Sequence, residues 1–349
     1  MSGERGTLRI LQPGPQTTVQ DLGRVGYQAL GVPVCGALDP LALRLANRLA
    51  GNAEGEAALE CRLMGPMIEV EGAPVRLALA GAEAAIEMEA DGTRRVHPAG
   101  RAFDVPPGGR VRIGPLRGSA GAVLAVGGGL DLPEVLGSRA TDLKGDFGGL
   151  GGRALAAGDT LATRRAEQAG PCLALPHPLP PAFGGELRVV PGPQDDAFTP
   201  EAIATFLAAT FEVTREADRM GMRLRGPALS FVAGADIVSD GIATGSVQVP
   251  GSGQPILLLA DHQTIGGYAK IATVISADLP AAGRLLPGAA IRFRAVSVAE
   301  AEEARRAQER EFARLLESLA PARDAPAIDE QALFSVNLIS GVVAALDPP

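Results

Sequence analysis

Residues 187–194 read Leu-Arg-Val-Val-Pro-Gly-Pro-Gln, and residues 8–16 read Leu-Arg-Ile-Leu-Gln-Pro-Gly-Pro-Gln. Each is a short apolar strand running into a Pro-Gly turn. A second pair follows in the same order: Arg62-Leu63-Met64-Gly65-Pro66 and Arg223-Leu224-Arg225-Gly226-Pro227. A third, weaker pair sets residues 122–131 (AVLAVGGGLD) beside residues 255–264 (PILLLADHQT), each a strand leading into polar or Gly-rich chain. One match alone carries little weight. Three in one order predict two related domains, the second more compact.

Working outward from these repeats, the runs Val75–Leu79, Ala85–Met88, Val111–Ile113, Val123–Val126, Ile256–Leu259, Lys270–Ile275 and Ile291–Phe293 are short, apolar or alternating, and bounded by Gly and Pro. They read as strands. Helical patterns are few: Pro40–Ala50, Pro200–Ala208 and Val298–Leu319. The first follows Asp39, a good N-cap, with Pro40 at the first helical position. Strands do not alternate with helices, so closed antiparallel barrels fit better than a doubly wound parallel sheet. With 349 residues there is chain enough for two such cores. The expected boundary is Gly170–Gly185, stiffened by Pro171, Pro176, Pro178, Pro180 and Pro181. The organisation expected is a first barrel over 1–170, a second over 186–298, and a C-terminal helix and tail over 299–349. Helix Val298–Leu319 is heavily charged and is expected to be solvated with one apolar stripe. A Pro-rich break at Pro321–Pro326 then precedes an apolar segment, Ala332–Ala345, that needs covering.

Composition excludes several classes of function. Aromatic residues make up only 3%, with no Trp, and the net charge is −8. Neither a base-stacking surface nor a phosphate-binding one is expected, so nucleic acid is not a partner. The N-terminus lacks the apolar core of a signal peptide, and no run of ~18 apolar residues occurs, so a cytoplasmic protein without membrane contact is expected. Three cysteines, Cys35, Cys61 and Cys172, form neither a disulfide framework nor a zinc pattern. His97, His177 and His262 are scattered, and no metal site is expected. There is no G-x-S-x-G elbow, no phosphate-binding G-x-x-x-x-G-K-[ST] loop, and no Lys flanked by Met on both sides for biotin attachment. Of 32 basic residues only Lys144 and Lys270 are lysines, so either is a candidate for a place where a compact ammonium is needed.

Three polar clusters remain. The first runs from Thr17 through Asp21 and Arg24 to Asp39; Asp21 and Arg24 are close enough to pair, in a loop that shapes a barrel mouth or meets a substrate or partner. The second is Gly-rich, Gly127–Asp131 and Leu136–Gly152, and glycine density alone is weak evidence for anion binding. The third is densest: Ser239-Asp240-Gly241-Ile242, then Gly245–Pro255, then Ala260–Lys270. Gln248, Gln254 and Gln263 each offer a donor and an acceptor, the complement of an amide or lactam. Lys270 suits a carboxylate or a developing negative charge. Alternation along a strand would let Asp261 and Gln263, or Tyr268 and Lys270, share a face.

The strings TTVQDLGRVGY, GVPVCGALDPLALRLANRLAGN, LAVGGGLDLPEVLGSRATDL, DRMGMRLRG, SDGIATGSVQVPGSGQPILLLADHQTIGGYAKIATVISADL and SVNLISGVV resemble the family called allophanate hydrolase subunit 2, or the biotin-dependent carboxyltransferase family. The resemblance covers about residues 8–345. It implies a mainly β protein: two cyclophilin-like β-barrel domains, in keeping with the internal duplication and the few helices. The family usually has Ser at Cys35, Met at Leu38, and ADRQTTGGYPK over Ala260–Lys270, so His262, Ile265 and Ala269 depart from it. Arg exchanged for His262 replaces a permanent charge by one largely absent at neutral pH. Lys144 falls where the family often has Arg, which leaves Lys270 as the lysine to explain. The candidate catalytic residues are Lys270, Asp261 and Tyr268. Gln248, Gln254, Gln263 and Thr264 are candidates for substrate binding, and Asp21, Arg24 and Asp39 for loop or interface roles.

The resemblance implies three functions. The first is the C component of an ATP-dependent 5-oxoprolinase, opening the lactam of 5-oxoproline to glutamate; ATP would act at the level of the complex. Its expected partners are a companion of the allophanate hydrolase subunit 1 type (the B component of 5-oxoprolinase) and a lactam-utilisation-type A component, and the isolated chain is expected to be inactive. The second is a carboxyltransferase moving CO₂ to an amide nitrogen from carboxybiotin, with biotin on another chain. The third is a regulatory protein that antagonises a kinase inhibitor.

Overall fold

The computed structural model describes residues 5–165, 170–176 and 184–322. Pro178, Pro180, Pro181, His177, most of the Pro321–Pro326 break and the Ala332–Ala345 segment lie outside them. The architecture is mainly β, with four helices among the described residues: α1 (Pro40–Ala50), α2 (Pro200–Ala208), α3 (Leu279–Gly283) and α4 (Val298–Glu317).

The two halves build their walls differently. The N-terminal half has a six-stranded sheet, in the order Thr160–Ala162, Gly6–Gln12, Met67–Gly72, Arg110–Ile113, Ile86–Ala90, Thr93–His97. A five-stranded sheet faces it: Gln16–Gln20, Ala58–Arg62, Gly121–Val126, Val75–Ala80, Ala102–Val105. One core is shared between them, with Leu8, Ile10 and Ile68 from the first sheet and Leu59, Leu77 and Leu124 from the second, all fully buried. The outer face of the five-stranded sheet is covered by α1, whose Leu43, Ala46 and Leu49 meet Ala78, Ala80 and Ala125. Small residues on that face let the helix approach closely.

The C-terminal half closes as a barrel: Glu186–Pro191, Lys270–Val274, Ser246–Gln248, Ile256–Leu258, Gly221–Arg225, Phe211–Ala217, Ala290–Ala295 and back. A ring with an odd number of strands cannot alternate direction throughout. Here the odd seam is the parallel pair Glu186–Pro191 with Ala290–Ala295; the other pairs are antiparallel. Phe206, Phe211 and Phe293 fill one part of its interior, with Phe206 stacked on Phe293 at 4.4 Å between ring centroids. Ala58–Arg62 pairs with Gly121–Val126, as Gly221–Arg225 pairs with Ile256–Leu258.

Local chemistry sets the helix ends. Asp39 caps α1 by accepting the Ala42 N–H at 2.9 Å, Pro40 takes the first turn, and Gly51 ends it at φ +83°. Helix α4 opens with a capping box between Ser297 and Glu300, and stops two residues before the expected Leu319. Its Phe312 packs into the α1 cluster and lies under Arg44, whose guanidinium also pairs with Glu309 at 2.9 Å.

Polar bonds tie the halves together. Asp39 meets Arg284 at 3.4 Å, Arg62 donates to the Gly283 carbonyl at 3.0 Å, and the Ala120 N–H donates to the Arg284 carbonyl at 2.8 Å. The Cys35 N–H donates to the Ala260 carbonyl at 3.1 Å, and Leu38 belongs to the barrel core. The site residues lie on this junction and on the barrel wall beside it.

Candidate functional site

The polar run after Ile256–Leu258 is a turn, not a strand. The His262 N–H returns to the Leu259 carbonyl at 3.1 Å, which ends the ladder and cancels strand alternation for Asp261 and Gln263. Asp261 turns toward the N-terminal half. Its two oxygens accept from Nε and Nη2 of Arg219, each at 2.8 Å. The same guanidinium donates to Glu60 and, at 2.6 Å, to the Gly36 carbonyl. Glu60 also accepts the Leu38 N–H at 2.7 Å. Arg219 is only 2% exposed, and the three charged residues form one buried network across the junction. Asp261 is therefore committed to Arg219, and burial pushes its carboxyl up against the pull of that cation.

Gln263 turns the other way, and its Nε2 approaches Oε1 of Gln248 at 3.5 Å. Gln248 lies in the barrel wall directly across from Lys270, so the two side chains start from one face. It is 2% exposed, and its Nε2 has no hydrogen-bond partner. Gly266 sits beside it: a Cβ there would come within 2.7 Å of that nitrogen. The absent side chain is what lets the ribbon pack this closely on the amide. Thr264 is buried, and its carbonyl accepts the Ile242 N–H at 3.0 Å, which holds the turn against the next element.

That element is a two-stranded ribbon, Asp236–Gly241 with Ile265–Tyr268, which stands apart from the barrel ladder. Asp240, on the ribbon, accepts from Nζ of Lys270 at 3.0 Å and from Nε2 of Gln194 at 3.1 Å. The Lys270 bond, with help from the Gly241 N–H and Gln194, holds the Asp240 carboxyl below the usual carboxylate range. Gln194 also accepts the Lys270 backbone N–H at 3.2 Å, so the repeated Pro-Gly-Pro-Gln turn carries a side chain into this cluster. Lys270 itself is 2% exposed.

Two expected neighbours do not join. Tyr268 is 42% exposed at the end of the ribbon, opposite Asp236, whereas Lys270 is buried; Ala269 between them breaks the strand, so they do not share a face. Gln254 is bound to the backbone of Gly226, accepting its N–H at 3.0 Å and donating to its carbonyl at 3.1 Å. It lies at the opposite end of Ile256–Leu258 from Asp261.

The first loop also differs from its expected pairing. Asp21 does not pair with Arg24; it accepts from the Gly23 N–H at 2.8 Å, the Ser138 hydroxyl at 2.6 Å and the Arg139 N–H at 2.6 Å. Arg24 donates to the Ala140 carbonyl and lies over the Phe147 ring. Asp39 is the α1 cap described above. His262 is fully buried, with Nδ1 at 2.6 Å from the Gln263 carbonyl, which can only accept. Nδ1 thus carries the proton and Nε2 accepts from the Thr244 hydroxyl at 3.1 Å. Burial pushes its pKa below the usual value, so the ring is neutral where the family's Arg would be charged.

The residues missed from the sequence are Arg219, Glu60, Asp240 and Gln194. Arg219 stood in the DRMGMRLRG string and Asp240 in the third cluster, but their partners lie too far along the chain to be read from spacing. Cys35, Cys61 and Cys172 are free thiols, and burial pushes Cys61 up to about 12. No group of three or more potential metal ligands occurs among the described residues, and no helix there is long and apolar enough to cross a membrane. A cavity of about 1050 Å³ lies between His97, Arg101, Arg117 and Leu175 and shares no residue with the glutamine cluster.

A mainly β scaffold whose polar groups gather where a sheet sandwich meets a barrel defines a class of protein. The chain belongs to the carboxyltransferase domain family, subdomain A and B, whose model matches residues 30–295. Among individual relatives, it is 37% identical over 309 residues to the C subunit of 5-oxoprolinase from Escherichia coli, covering 88% of this chain and 97% of that one. It is 38% identical over 300 residues to the protein of the same name from Haemophilus influenzae, covering 86% and 94%. The crystal structure of TTHA0988 superposes with a TM-score of 0.73 at 38% identity over 82% of this chain, which spans only 55% of that one. The K. lactis urea amidolyase structure matches with a TM-score of 0.80 at 27% identity over 94% of this chain, which spans 21% of that protein. In both structures the matched part is a portion of a longer chain.

Proposed function

We propose that the chain is the C component of an ATP-dependent 5-oxoprolinase, and that the lactam is read by Gln248 and Gln263 under the ribbon. The observation that carries this is the buried Gln248 amide with its N–H₂ unpaired beside Gly266. An unmet buried donor costs about 1–3 kcal/mol, which a ligand oxygen would offset. A lactam fits because it offers an oxygen to accept from Gln248 and an N–H to give to a glutamine oxygen. Lys270, across the strand pair from Gln248, uses one of its three N–H groups on Asp240 and has others for charge developing on the lactam oxygen. Asp261 and Gln254 take structural places in this reading, and Tyr268 lies at the rim.

Hydrolysis adds one water across the ring C–N bond and gives glutamate. ATP makes this favourable by phosphorylating the amide oxygen; a second water releases the phosphate. This sequence carries no nucleotide loop, so nucleotide chemistry falls to the companion B and A components. The two halves are taken as copies of one ancestral unit, divided near residues 170–186, with helix α4 packing back on α1 of the first half.

A second reading, carboxyl transfer from biotin on another chain to an amide nitrogen, is favoured by the family match and by the K. lactis structure. Amide recognition is common to both. Turnover of 5-oxoproline with ATP by the assembled complex supports the first reading; bicarbonate-dependent carboxylation of urea supports the second. In the active complex Lys270→Met lowers turnover ~10²–10³-fold, the scale for losing one preorganised donor, and Lys270→Arg is impaired too. Near-normal turnover of a folded, partner-bound Lys270→Met protein rejects the catalytic role, and turnover by the isolated chain rejects the division of labour.

A further inference from the structure

Three arginines are buried among the described residues, Arg24, Arg76 and Arg219, and Arg24 alone of them has no carboxylate in contact; Arg76 is met by Asp104 at 2.8 Å. Arg219 is met by Asp261, Glu60 and the Gly36 carbonyl. Arg24, 1% exposed, donates through Nη2 to the Ala140 carbonyl and lies 4.7 Å from the Phe147 ring centroid. Its Nε and Nη1 are buried with no partner. Neither Asp21 nor Asp142 forms an ion pair with it. Asp21 is taken by Gly23, Ser138 and Arg139, and Oδ1 of Asp142 accepts the Lys144 and Gly145 N–H groups. A buried guanidinium with two unpaired donors and no carboxylate in contact is a costly arrangement.

We propose that Arg24 is the receptor of a carboxylate ligand. Fork geometry supports this. Nη2 has two hydrogens, one beside Nε–H and one beside Nη1; whichever the Ala140 carbonyl takes, one complete two-donor edge stays open. Such an edge matches the two oxygens of a carboxylate. Glycine lets the chain pass beside the existing bond: a Cβ on Gly148 would come within 2.1 Å of the Ala140 carbonyl oxygen and 2.8 Å of Nη2, and Gly148 holds φ +72°. Phe147 covers a face of the guanidinium rather than its edges. Leu22 and Val25 are exposed, so the group lies one layer below the surface, and entry requires movement of Phe147 or the glycine run beside it.

The ligand is either the carboxylate of 5-oxoproline, which rests on the reading above, or that of another small acid. The test is thermal melting of the full chain and of Arg24→Gln with 5-oxo-L-proline, acetate, or 2-pyrrolidone, the lactam without a carboxylate. For the wild type, 5-oxoproline or acetate raises the melting temperature; for Arg24→Gln the apparent Kd rises ~10–100-fold, the loss of one charged hydrogen-bonding group. Without ligand, Arg24→Gln melts no lower than wild type, because it removes a buried charge with no carboxylate in contact. Arg24→Lys, which keeps the charge and loses the fork, also binds more weakly while staying folded. A shift by 5-oxoproline alone assigns the substrate's carboxylate, and equal shifts with acetate assign a general carboxylate site. If neither acid shifts the wild type, if the shifts survive Arg24→Gln and Arg24→Lys, or if unliganded Arg24→Gln melts well below wild type, the proposal is overturned. Failure of 2-pyrrolidone to bind, with carboxylate shifts intact, counts against the lactam reading alone.

Discussion

The Arg219 network is open to a direct energetic test. One guanidinium sits between two carboxylates, Glu60 and Asp261, all of them buried, so the network as a whole carries an excess negative charge. Arg219→Met keeps much of the stem but leaves two acids facing each other in a buried junction. Removing one partner of a buried ion pair costs about 3–5 kcal/mol. At ~1.4 °C per kcal/mol for a chain of 349 residues, the melting temperature falls by roughly 4–7 °C. Glu60→Gln costs less, about 1–3 kcal/mol, since its new NH₂ must face a donor on either Arg219 or Leu38. The double variant is the informative one. Neutralising Glu60 removes much of the repulsion that Arg219→Met creates, so the double variant is destabilised by less than the sum of the singles. Calorimetry of the three variants measures this. Arg219→Met melting within ~2 °C of wild type, or strictly additive losses, would refute the electrostatic account of the junction.

Three further outcomes are expected. His262 has a folded pKa below its unfolded value of ~6.5, so its contribution to stability is present above that pH and lost as pH falls. Wild type therefore loses stability between pH 7 and 5 through a component absent from His262→Gln; parallel pH–melting curves would contradict this. Gly266→Ala puts a methyl group 2.7 Å from Nε2 of Gln248, and weakens lactam binding ~10-fold or more with little change in melting temperature; unchanged affinity counts against the amide site. Asp39→Ala loses the α1 cap and the Arg284 contact and costs about 0.5–2 kcal/mol, whereas Asp39→Ser keeps most of the cap; equal melting of the two would show that the cap contributes little.

Helices are legible where their signals are local. Asp39, Pro40 and Gly51 delimit α1 within a dozen residues, and α2 matches its expected bounds Pro200–Ala208 for similar reasons. Buried strands such as Val75–Ala80 announce themselves through continuous apolar runs. The ribbon strand Asp236–Gly241 does not: its residues are mostly exposed, with neither alternation nor an apolar run, and its pairing depends on a segment more than twenty residues away. The polar run at Ala260–Thr264 reads as the end of a strand because Ile256–Leu259 precedes it, yet one turn bond at Leu259 sends Asp261 and Gln263 to different surroundings. The glutamines show the limit most clearly. Gln248 and Gln254 are the same residue six positions apart, but Gln254 is spent on the Gly226 backbone while Gln248 has an unmet N–H₂.

This contrast gives a physical criterion for sorting polar residues that a family pattern brings forward together. Asp21, Asp39, Asp261 and Gln254 have each side-chain polar atom partnered from within the chain, so their placement has an account in the fold itself. Buried polar atoms are ordinarily paired, and those left unpaired mark places where the fold tolerates a cost. Gln248 offers a neutral N–H₂ and Arg24 two unpaired charged N–H donors. The first suits an amide oxygen and the second a carboxylate. A junction held rigid by one fully satisfied ion network keeps both unsatisfied groups in fixed positions, which is the preorganisation that a binding site requires.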